Sequence, residues 1–119
     1  MSSALDRLFR ELAQQAPVRA DFPDRPHAAV ALLLAPDPDR MLLIRRAERP
    51  GDPWSGQLAL PGGRREPRDP DLLHTAIRET AEETGLVLDR EWHRADLDDL
   101  APITPVLPPI VVRPFAFQL

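Results

Sequence analysis

The chain contains no cysteine, and its apolar residues never form a long uninterrupted run. Without cysteine the protein has no disulfides, no thiolate metal ligands and no thiol nucleophile. The longest apolar run, Ala28 to Ala35, is far too short to span a bilayer, so we expect no membrane partner. The N-terminus also lacks a basic segment followed by an apolar one, so no signal peptide is visible and a cytoplasmic location is expected.

Length and net charge narrow the class of protein further. The 119 residues predict a single domain, residues 1–119, with a modest core. The net charge is -4 and there is no basic tract, so long nucleic acids are not expected as electrostatic partners. An acidic protein can still bind a small phosphate compound when a cation bridges the two.

Apolar periodicity predicts an N-terminal helix followed by several strands. Residues 1–26 are predicted to form a helix over Ser3–Gln15 and a linker, because apolar residues recur there at helical spacing. The next predicted elements are a buried strand at Ala28–Ala35, a turn at Pro36–Asp39, a hairpin partner at Met41–Ile44 and a short strand at Gln57–Leu60. Pro61-Gly62-Gly63 is predicted to break that last strand.

A second helix is predicted to begin at Asp69-Pro70 and to run to about Thr84. Asp69 suits the N-cap and Pro70 the first helical position, while Gly85 suits the left-handed position after the last turn. The later segments are an extended one at Leu86–Leu88, a stretch without clear period at Asp89–Leu100, and two strand-like runs at Ile110–Val112 and Phe115–Phe117, separated by Pro114.

Three glutamates define the most informative face of the second helix. At ~100° per residue, Glu79, Glu82 and Glu83 fall on one side of it, at positions i, i+3 and i+4. Carboxylates this close repel one another unless a cation lies among them, and oxygen ligands suit a hard divalent ion such as Mg²⁺ or Mn²⁺. The plain alternative is a solvated helix face on which Arg78 pairs with Glu82.

The sequence around these glutamates resembles a known motif. Arg78-Glu79, Glu82-Glu83 and Gly85-Leu86 stand at the spacing of the Nudix box, G-x5-E-x7-R-E-U-x-E-E-x-G-U, in which U is bulky and apolar. Thr80 occupies the first U position, and Gly63 and Asp69 stand one residue earlier than the pattern. This expanded spacing, with the run Thr75–Glu79, is similar to the coenzyme A pyrophosphatase branch of the Nudix hydrolases.

The resemblance implies an α/β fold, a Nudix-type α/β/α sandwich with a mixed sheet, in which residues 61–86 form loop, helix and loop. It implies a metal-dependent hydrolase that cleaves the pyrophosphate linkage of a nucleoside diphosphate derivative, with Mg²⁺ or Mn²⁺ as cofactor. The catalytic residues and metal ligands that it implies are Glu79, Glu82 and Glu83, with the Gly62 carbonyl as a further ligand. The structural residues of the box would be Asp69, Arg78 and Gly85, with Arg78 pairing with an acidic group.

The loop before the box bears on the substrate. Arg46-Ala47, Gly56 and Pro61-Gly62-Gly63 are similar to the coenzyme A branch, so coenzyme A and its thioesters are candidate substrates, whereas the second arginine of that branch falls on Asp52. Guanidinium groups match phosphate oxygens, and glycine lets the backbone approach a ligand. The candidate substrate-binding residues are therefore Arg46, Arg49 and Gly63. Trp54 is expected to anchor this loop by packing, with stacking on a base as the alternative.

Three alternatives stay open. The box suits other nucleotide substrates, including ADP-ribose, dinucleoside polyphosphates and nucleoside triphosphates. A non-catalytic or truncated binding module is the second, because family members usually continue with a further strand and helix. The fold is therefore expected to be incomplete at its C-terminal side, with Phe115–Phe117 near an exposed edge. The third is a structural helix without metal. Dimers are common among similar proteins, so a homodimer is also open.

Overall fold

The computed structural model describes residues 3–52, 55–101 and 109–119 of the chain. The predicted N-terminal helix, first strand and acidic helix are all confirmed. In chain order the described elements are α1 (Ser3–Ala13), β1 (His27–Ala35), β2 (Arg40–Met41), β3 (Ile44–Arg45), β4 (Leu58–Ala59), β5 (Gly62–Arg64), α2 (Leu72–Thr84), a 3-10 turn (Arg90–Trp92), β6 (His93–Asp96) and β7 (Val111–Gln118).

β1 is the central strand of a five-stranded sheet. Along one side it pairs antiparallel with β2, at Leu34 and Ala35, and with β5, at residues 28–30. Along its other side it runs parallel to β7 from His27 to Leu34, and β7 in turn pairs antiparallel with β6. β3 and β4 form a separate two-stranded sheet. The expected mixed sheet is therefore confirmed.

Both faces of the sheet are covered, which explains the unbroken apolar run of β1. Ala29, Ala31 and Leu33 point to one face, where they pack with Ala76 of α2. Leu34 points to the opposite face and packs in a second cluster whose α1 members are Leu5 and Phe9. Because successive strand residues point to opposite faces, a strand between two helices must be apolar at every position. The α/β/α sandwich expected from the sequence is thus confirmed.

β7 corrects the expectation that Phe115–Phe117 lies near an exposed edge. The strand is continuous through Pro114 and lies between β1 and β6, with Phe115 and Phe117 buried. Proline cannot donate to a ladder, but β6 ends opposite Phe115, and the Pro114 carbonyl accepts from the Leu97 N–H at 3.0 Å. β6 lies in the stretch that shows no clear period, because an irregularity between His93 and Ala95 interrupts its alternation.

The segment from residue 40 to residue 64 also differs from the prediction. The predicted strand Met41–Ile44 is split, since β2 pairs with β1 whereas β3 pairs with β4. The strand predicted at Gln57–Leu60 is β4 and ends before Pro61 as predicted, but Gly62 and Gly63 then form a further short strand, β5. A Cβ on Gly62 would lie 2.2 Å from the Ala29 carbonyl oxygen and 2.6 Å from the Val30 Cα, so only glycine permits this close pairing with β1.

α2 begins two residues later than predicted, because Asp71 and not Asp69 is its N-cap. The Asp71 carboxylate accepts from the His74 N–H at 2.7 Å, and this bond lowers the pKa of Asp71. At the other end Gly85 adopts φ 79°, and its N–H donates to the Ala81 carbonyl, as predicted for the C-terminal position. No helix within residues 3–52, 55–101 and 109–119 is long and apolar enough to cross a membrane.

Candidate active site

Asp69 is a buried anchor for the helix and not its cap. Its side chain is fully buried, and both oxygens accept from Arg78, with Nε–Oδ1 and Nη2–Oδ2 distances of 2.9 Å. The Thr75 hydroxyl and the Glu66 N–H also donate to Oδ2 of Asp69, each at 2.9 Å. The Arg78 hydrogen bonds, together with the Glu66 N–H, hold the pKa of Asp69 well below its usual range despite burial. The pair therefore fixes the loop before α2 to the helix.

Arg78 extends this anchor to the acidic face of α2. Its Nη1 atom lies 2.9 Å from Oε1 of Glu79 and 3.3 Å from Oε1 of Glu82. Arg68 also contacts Glu82, with an Nη2–Oε1 distance of 3.1 Å. Because these acidic neighbours surround it, the pKa of Arg78 is raised, with the Asp69 bond as the largest cause. One guanidinium thus orients Glu79, while Glu82 is turned toward two arginines.

Glu79 and Glu83 meet beside the glycine loop. A Cβ on Gly63 would lie 2.5 Å from Cδ of Glu79, so the Glu79 carboxylate rests directly on the Gly63 backbone. Oε1 of Glu83 accepts from the Gly62 N–H at 3.2 Å. Burial raises the pKa of Glu83, and the charge of Glu79 and a bond to its carboxyl raise it further, against the Gly62 N–H and the charge of Arg46. The Glu79 and Glu83 carboxyl groups therefore lie beside the same two glycines and line the same cavity.

The backbone of Gly62 faces the same side as these carboxylates. The flanking hydrogen bonds, Ala31 N–H to the Pro61 carbonyl and Arg65 N–H to the His27 carbonyl, make Gly62 a non-hydrogen-bonded partner of Val30. Both backbone groups of Gly62 consequently point away from β1, and its N–H reaches Glu83. The Gly62 carbonyl thus lies on the same side as the Glu83 carboxylate.

These residues form one wall of a cavity of about 450 Å³. The sequence-derived site residues that line it are Arg46, Arg49, Gly62, Gly63, Glu79 and Glu83. Glu82 does not line it, and Trp54 lies outside the described residues. Asp52, which sequence reasoning did not assign to the site, also lines the cavity. The signal was an aspartate where the coenzyme A branch has an arginine.

A second cavity of about 380 Å³ shares Arg46, Gly62 and Gly63 with the first. Its other walls are mainly aliphatic, and those side chains include Val30, Leu58, Leu60, Leu100, Ile110 and Val112. Charged groups therefore line one cavity and apolar groups the one beside it. A molecule with a charged centre and a less polar arm would suit the two together.

The donor set fits a hard divalent cation. Glu83 is partly buried beside Glu79, and burial, with the Glu79 charge as a smaller cause, raises the pKa of Glu83. In the described part of the chain no three carboxylate or imidazole side chains converge as a ready-made metal cage. Glu79 and Glu83 with a backbone oxygen would instead supply the few oxygen ligands that Mg²⁺ and Mn²⁺ take while keeping water and substrate oxygens.

The comparison with known families agrees with this geometry. The model of the NUDIX domain matches residues 25–106, more than half of the chain, and the chain belongs to the Nudix family. It is 51% identical over 51 residues to an uncharacterised protein, C14C4.10c, from Schizosaccharomyces pombe, covering 43% of this chain and 16% of that protein. It is 40% identical over 70 residues to the mitochondrial coenzyme A diphosphatase NUDT8 of Mus musculus, covering 56% of this chain and 33% of that protein.

Solved structures show the same fold. A MutT/nudix family protein from Enterococcus faecalis superimposes with a TM-score of 0.64 at 24% identity, covering 100% of this chain and 44% of that one. A bifunctional NMN adenylyltransferase/ADP ribose pyrophosphatase from Francisella tularensis, in complex with AMP and a Mn ion, gives 0.63 at 25% identity, covering 98% and 32%. The chain thus spans less than half of the length of each of these relatives and neighbours.

Proposed function

We propose that this domain hydrolyses the pyrophosphate linkage of a nucleoside diphosphate derivative, with Mg²⁺ or Mn²⁺ as cofactor. The observation that carries the proposal is the placement of Glu79 and Glu83 beside Gly62 and Gly63, in a cavity that Arg46 and Arg49 also line. Negative oxygens for a cation and positive groups for phosphate thus lie on one surface. Those are the two requirements for positioning a diphosphate bridge for attack by water.

The proposed metal ligands are Glu79, Glu82 and Glu83, with the Gly62 carbonyl. A bound divalent cation would neutralise diphosphate charge and activate water. Glu82 is half-exposed and contacts Arg68 at 3.1 Å and Arg78 at 3.3 Å. Its bond to the exposed Arg68 is a surface ion pair whose exchange for a cation costs roughly 0–1 kcal/mol. Arg78 stays a structural residue in this scheme, because its buried bond to Asp69 fixes the helix that carries the ligands.

Two arginines of the cavity, Arg46 and Arg49, are the proposed phosphate-binding groups. Arg46 and Arg49 line the cavity with the carboxylates, and a guanidinium group can bind two phosphate oxygens at once. A water held by one of the acidic side chains would attack one phosphorus, and the bond to the bridging oxygen would break to release two phosphate-bearing products. Gly63 has no side chain, so the Glu79 carboxylate can lie against the backbone at the point where the substrate is proposed to bind.

Coenzyme A or a related derivative is the substrate class that we favour. Two features support it: the similarity to the mitochondrial coenzyme A diphosphatase NUDT8 of mouse, and the aliphatic cavity beside the charged one. ADP-ribose is the second candidate, because the Francisella tularensis neighbour is named as an ADP ribose pyrophosphatase. A homodimer and a cytoplasmic location stay predictions of the sequence.

A substrate panel tests the reaction. Purified protein is incubated with Mg²⁺ or Mn²⁺ and with coenzyme A, dephospho-coenzyme A, ADP-ribose, a dinucleoside polyphosphate or a nucleoside triphosphate, and the products are separated by chromatography. We expect cleavage of the diphosphate bridge, with 4′-phosphopantetheine as a product from the first two compounds. Metal-dependent binding without turnover of any compound would favour the non-catalytic module.

Manganese titration tests the metal site independently of turnover. We expect the Glu79→Gln and Glu83→Gln variants to lose affinity for Mn²⁺ by about 10- to 100-fold, with a smaller loss for Glu82→Gln. Glu11→Gln is the matched control, because Glu11 is exposed on α1, on the opposite side of the sheet. Equal affinity in all variants and in the wild type would establish the plain structural helix.

A further inference from the structure

Asp52 places a negative charge inside the cavity that is proposed to receive the diphosphate. It lines that cavity together with Arg46, Arg49, Glu79 and Glu83. Its Oδ2 atom lies 3.0 Å from Nη2 of Arg46, and its side chain is only 15% exposed against 36% for Arg46. One of the two phosphate-binding arginines is therefore already paired with an acid of the same chain.

The backbone on both sides of this pair is fixed by hydrogen bonds. The Asp52 N–H donates to the Arg49 carbonyl and the Ser55 N–H to the Asp52 carbonyl, both at 3.2 Å. The Ser55 hydroxyl accepts from the Arg49 N–H at 2.7 Å. The Arg46 backbone is fixed by its N–H, which donates to Gln57, and by its carbonyl, which accepts from Gly56. The backbone is thus fixed on both sides of the ion pair between Asp52 and Arg46.

The charges around Arg46 limit how many phosphate groups the cavity can bind. Arg46 lines the same cavity as Glu83, and Asp52 pairs with it from within the loop. A diphosphate bridge could be bound by the cation and by Arg49, while Arg46 serves as a shared partner. A further phosphate group near Arg46 would compete with Asp52 and be repelled by it.

We propose that Asp52 is a specificity-determining residue, which disfavours substrates that carry a phosphate monoester in addition to the diphosphate bridge. The inference rests on the proposed function and deepens it. Among compounds of the coenzyme A type, Asp52 would favour the form without the 3′-phosphate. Attraction comes from the cation and Arg49, whereas Asp52 supplies the repulsion that discriminates between two otherwise similar ligands.

Paired nucleotides that differ by one phosphate monoester test this proposal. The dissociation constants of AMP and of adenosine 3′,5′-bisphosphate are measured by calorimetry with Mn²⁺, for the wild type, Asp52→Asn and Asp21→Asn. Asp21→Asn removes the same charge from an exposed position in the linker before β1. We expect Asp52→Asn to shift the ratio of the two constants toward the bisphosphate by about fivefold, and Asp21→Asn to leave it unchanged.

The turnover arm uses dephospho-coenzyme A and coenzyme A with the same three proteins. We expect the wild type to prefer the dephospho form in kcat/KM and Asp52→Asn to narrow that preference by about the same factor. An equal change for both members of each pair would show that Asp52 only orients Arg46, and would overturn the proposal. If no protein turns over either compound, the proposed hydrolysis fails, but the ratio of nucleotide affinities still decides the role of Asp52.

Discussion

Alanine at position 63 would test whether the contact between Glu79 and the glycine loop is needed for activity. A Cβ on Gly63 would lie 2.5 Å from Cδ of Glu79 and 2.7 Å from its Oε2, whereas ordinary contact begins at 3.4 Å. The carboxylate must therefore retreat by the difference between 3.4 and 2.5 Å, about 0.9 Å. Arg78 opposes this movement, because its Nη1 is bonded to Glu79 at 2.9 Å.

A displacement of this size is large for a metal ligand and small for the fold. Misplacement of a reacting group by about 1 Å can cost roughly 100-fold in rate, so we expect a loss of kcat/KM and of Mn²⁺ affinity of that order. The contacted atoms belong to the flexible end of one side chain, and alanine suits a strand better than glycine by roughly 0.5–1 kcal/mol. The urea unfolding midpoint of Gly63→Ala should therefore match or exceed that of the wild type.

Two further variants separate the site from the fold. Gly62→Ala drives its Cβ into the backbone of β1, 2.2 Å from the Ala29 carbonyl oxygen, so it should destabilise the domain by more than about 3 kcal/mol. Glu79→Asp shortens the side chain that the new methyl group would displace. Adding it to Gly63→Ala should therefore reduce kcat/KM and Mn²⁺ affinity far less than Glu79→Asp does alone. Wild-type Mn²⁺ affinity and turnover in Gly63→Ala would refute the reasoning.

Three other predictions concern polar groups inside the domain. Asp69→Asn should reduce the free energy of unfolding by about 3 kcal/mol at neutral pH, because it removes the buried negative charge that binds Nε and Nη2 of Arg78. The depressed pKa of Asp69 means that this stabilisation is complete above about pH 5 and is lost as the pH falls below the ordinary value of 3.8, so wild type and variant should converge in acid. Thr80→Val should stabilise the domain by about 1 kcal/mol, since the Thr80 hydroxyl is buried and has no hydrogen-bond partner among the described residues. Asp99→Asn should cost about 2 kcal/mol, because Asp99 is nearly fully buried and binds Arg113.

Urea unfolding at several pH values measures all three effects. A pH-independent difference between the wild type and Asp69→Asn would contradict the assigned ion pair. Destabilisation by Thr80→Val would show that the Thr80 hydroxyl has a hydrogen-bond partner. An unchanged midpoint in Asp99→Asn would show that the ion pair of Asp99 with Arg113 does not stabilise the domain. Asp21→Asn serves again as the exposed control, with an expected change within about 0.5 kcal/mol.

The sequence predicted best those elements whose residues obey one period. β1 and α1 were found because their apolar spacing is regular and their packing simply follows it. β6 was missed because a register shift between His93 and Ala95 breaks its alternation. β5 was missed because glycine has low strand propensity, although tight pairing with β1 requires it here.

The candidate site was predictable in composition but not in pairing. Helical geometry places Glu79, Glu82 and Glu83 on one side, yet only tertiary contacts decide that Glu82 turns to Arg68. The predicted N-cap was wrong because Asp69 and Asp71 both suit that position in isolation. Asp69 is instead buried in an ion pair with Arg78, and Asp71 caps the helix. Asp52 could not be assigned from spacing, because its role depends on a loop that brings it back to Arg46.

The parallel pairing of β1 with β7 joins segments that are more than 80 residues apart in the chain, His27 with Val111 and Leu34 with Gln118. β5, which carries the glycine loop, is held to the other side of β1. An excised peptide of residues 61–86 would therefore contain every proposed acidic ligand but have no scaffold to hold them at the loop. Its affinity for manganese should be that of an unstructured acidic peptide, because tight binding depends on strands that are distant in the sequence pairing with one another.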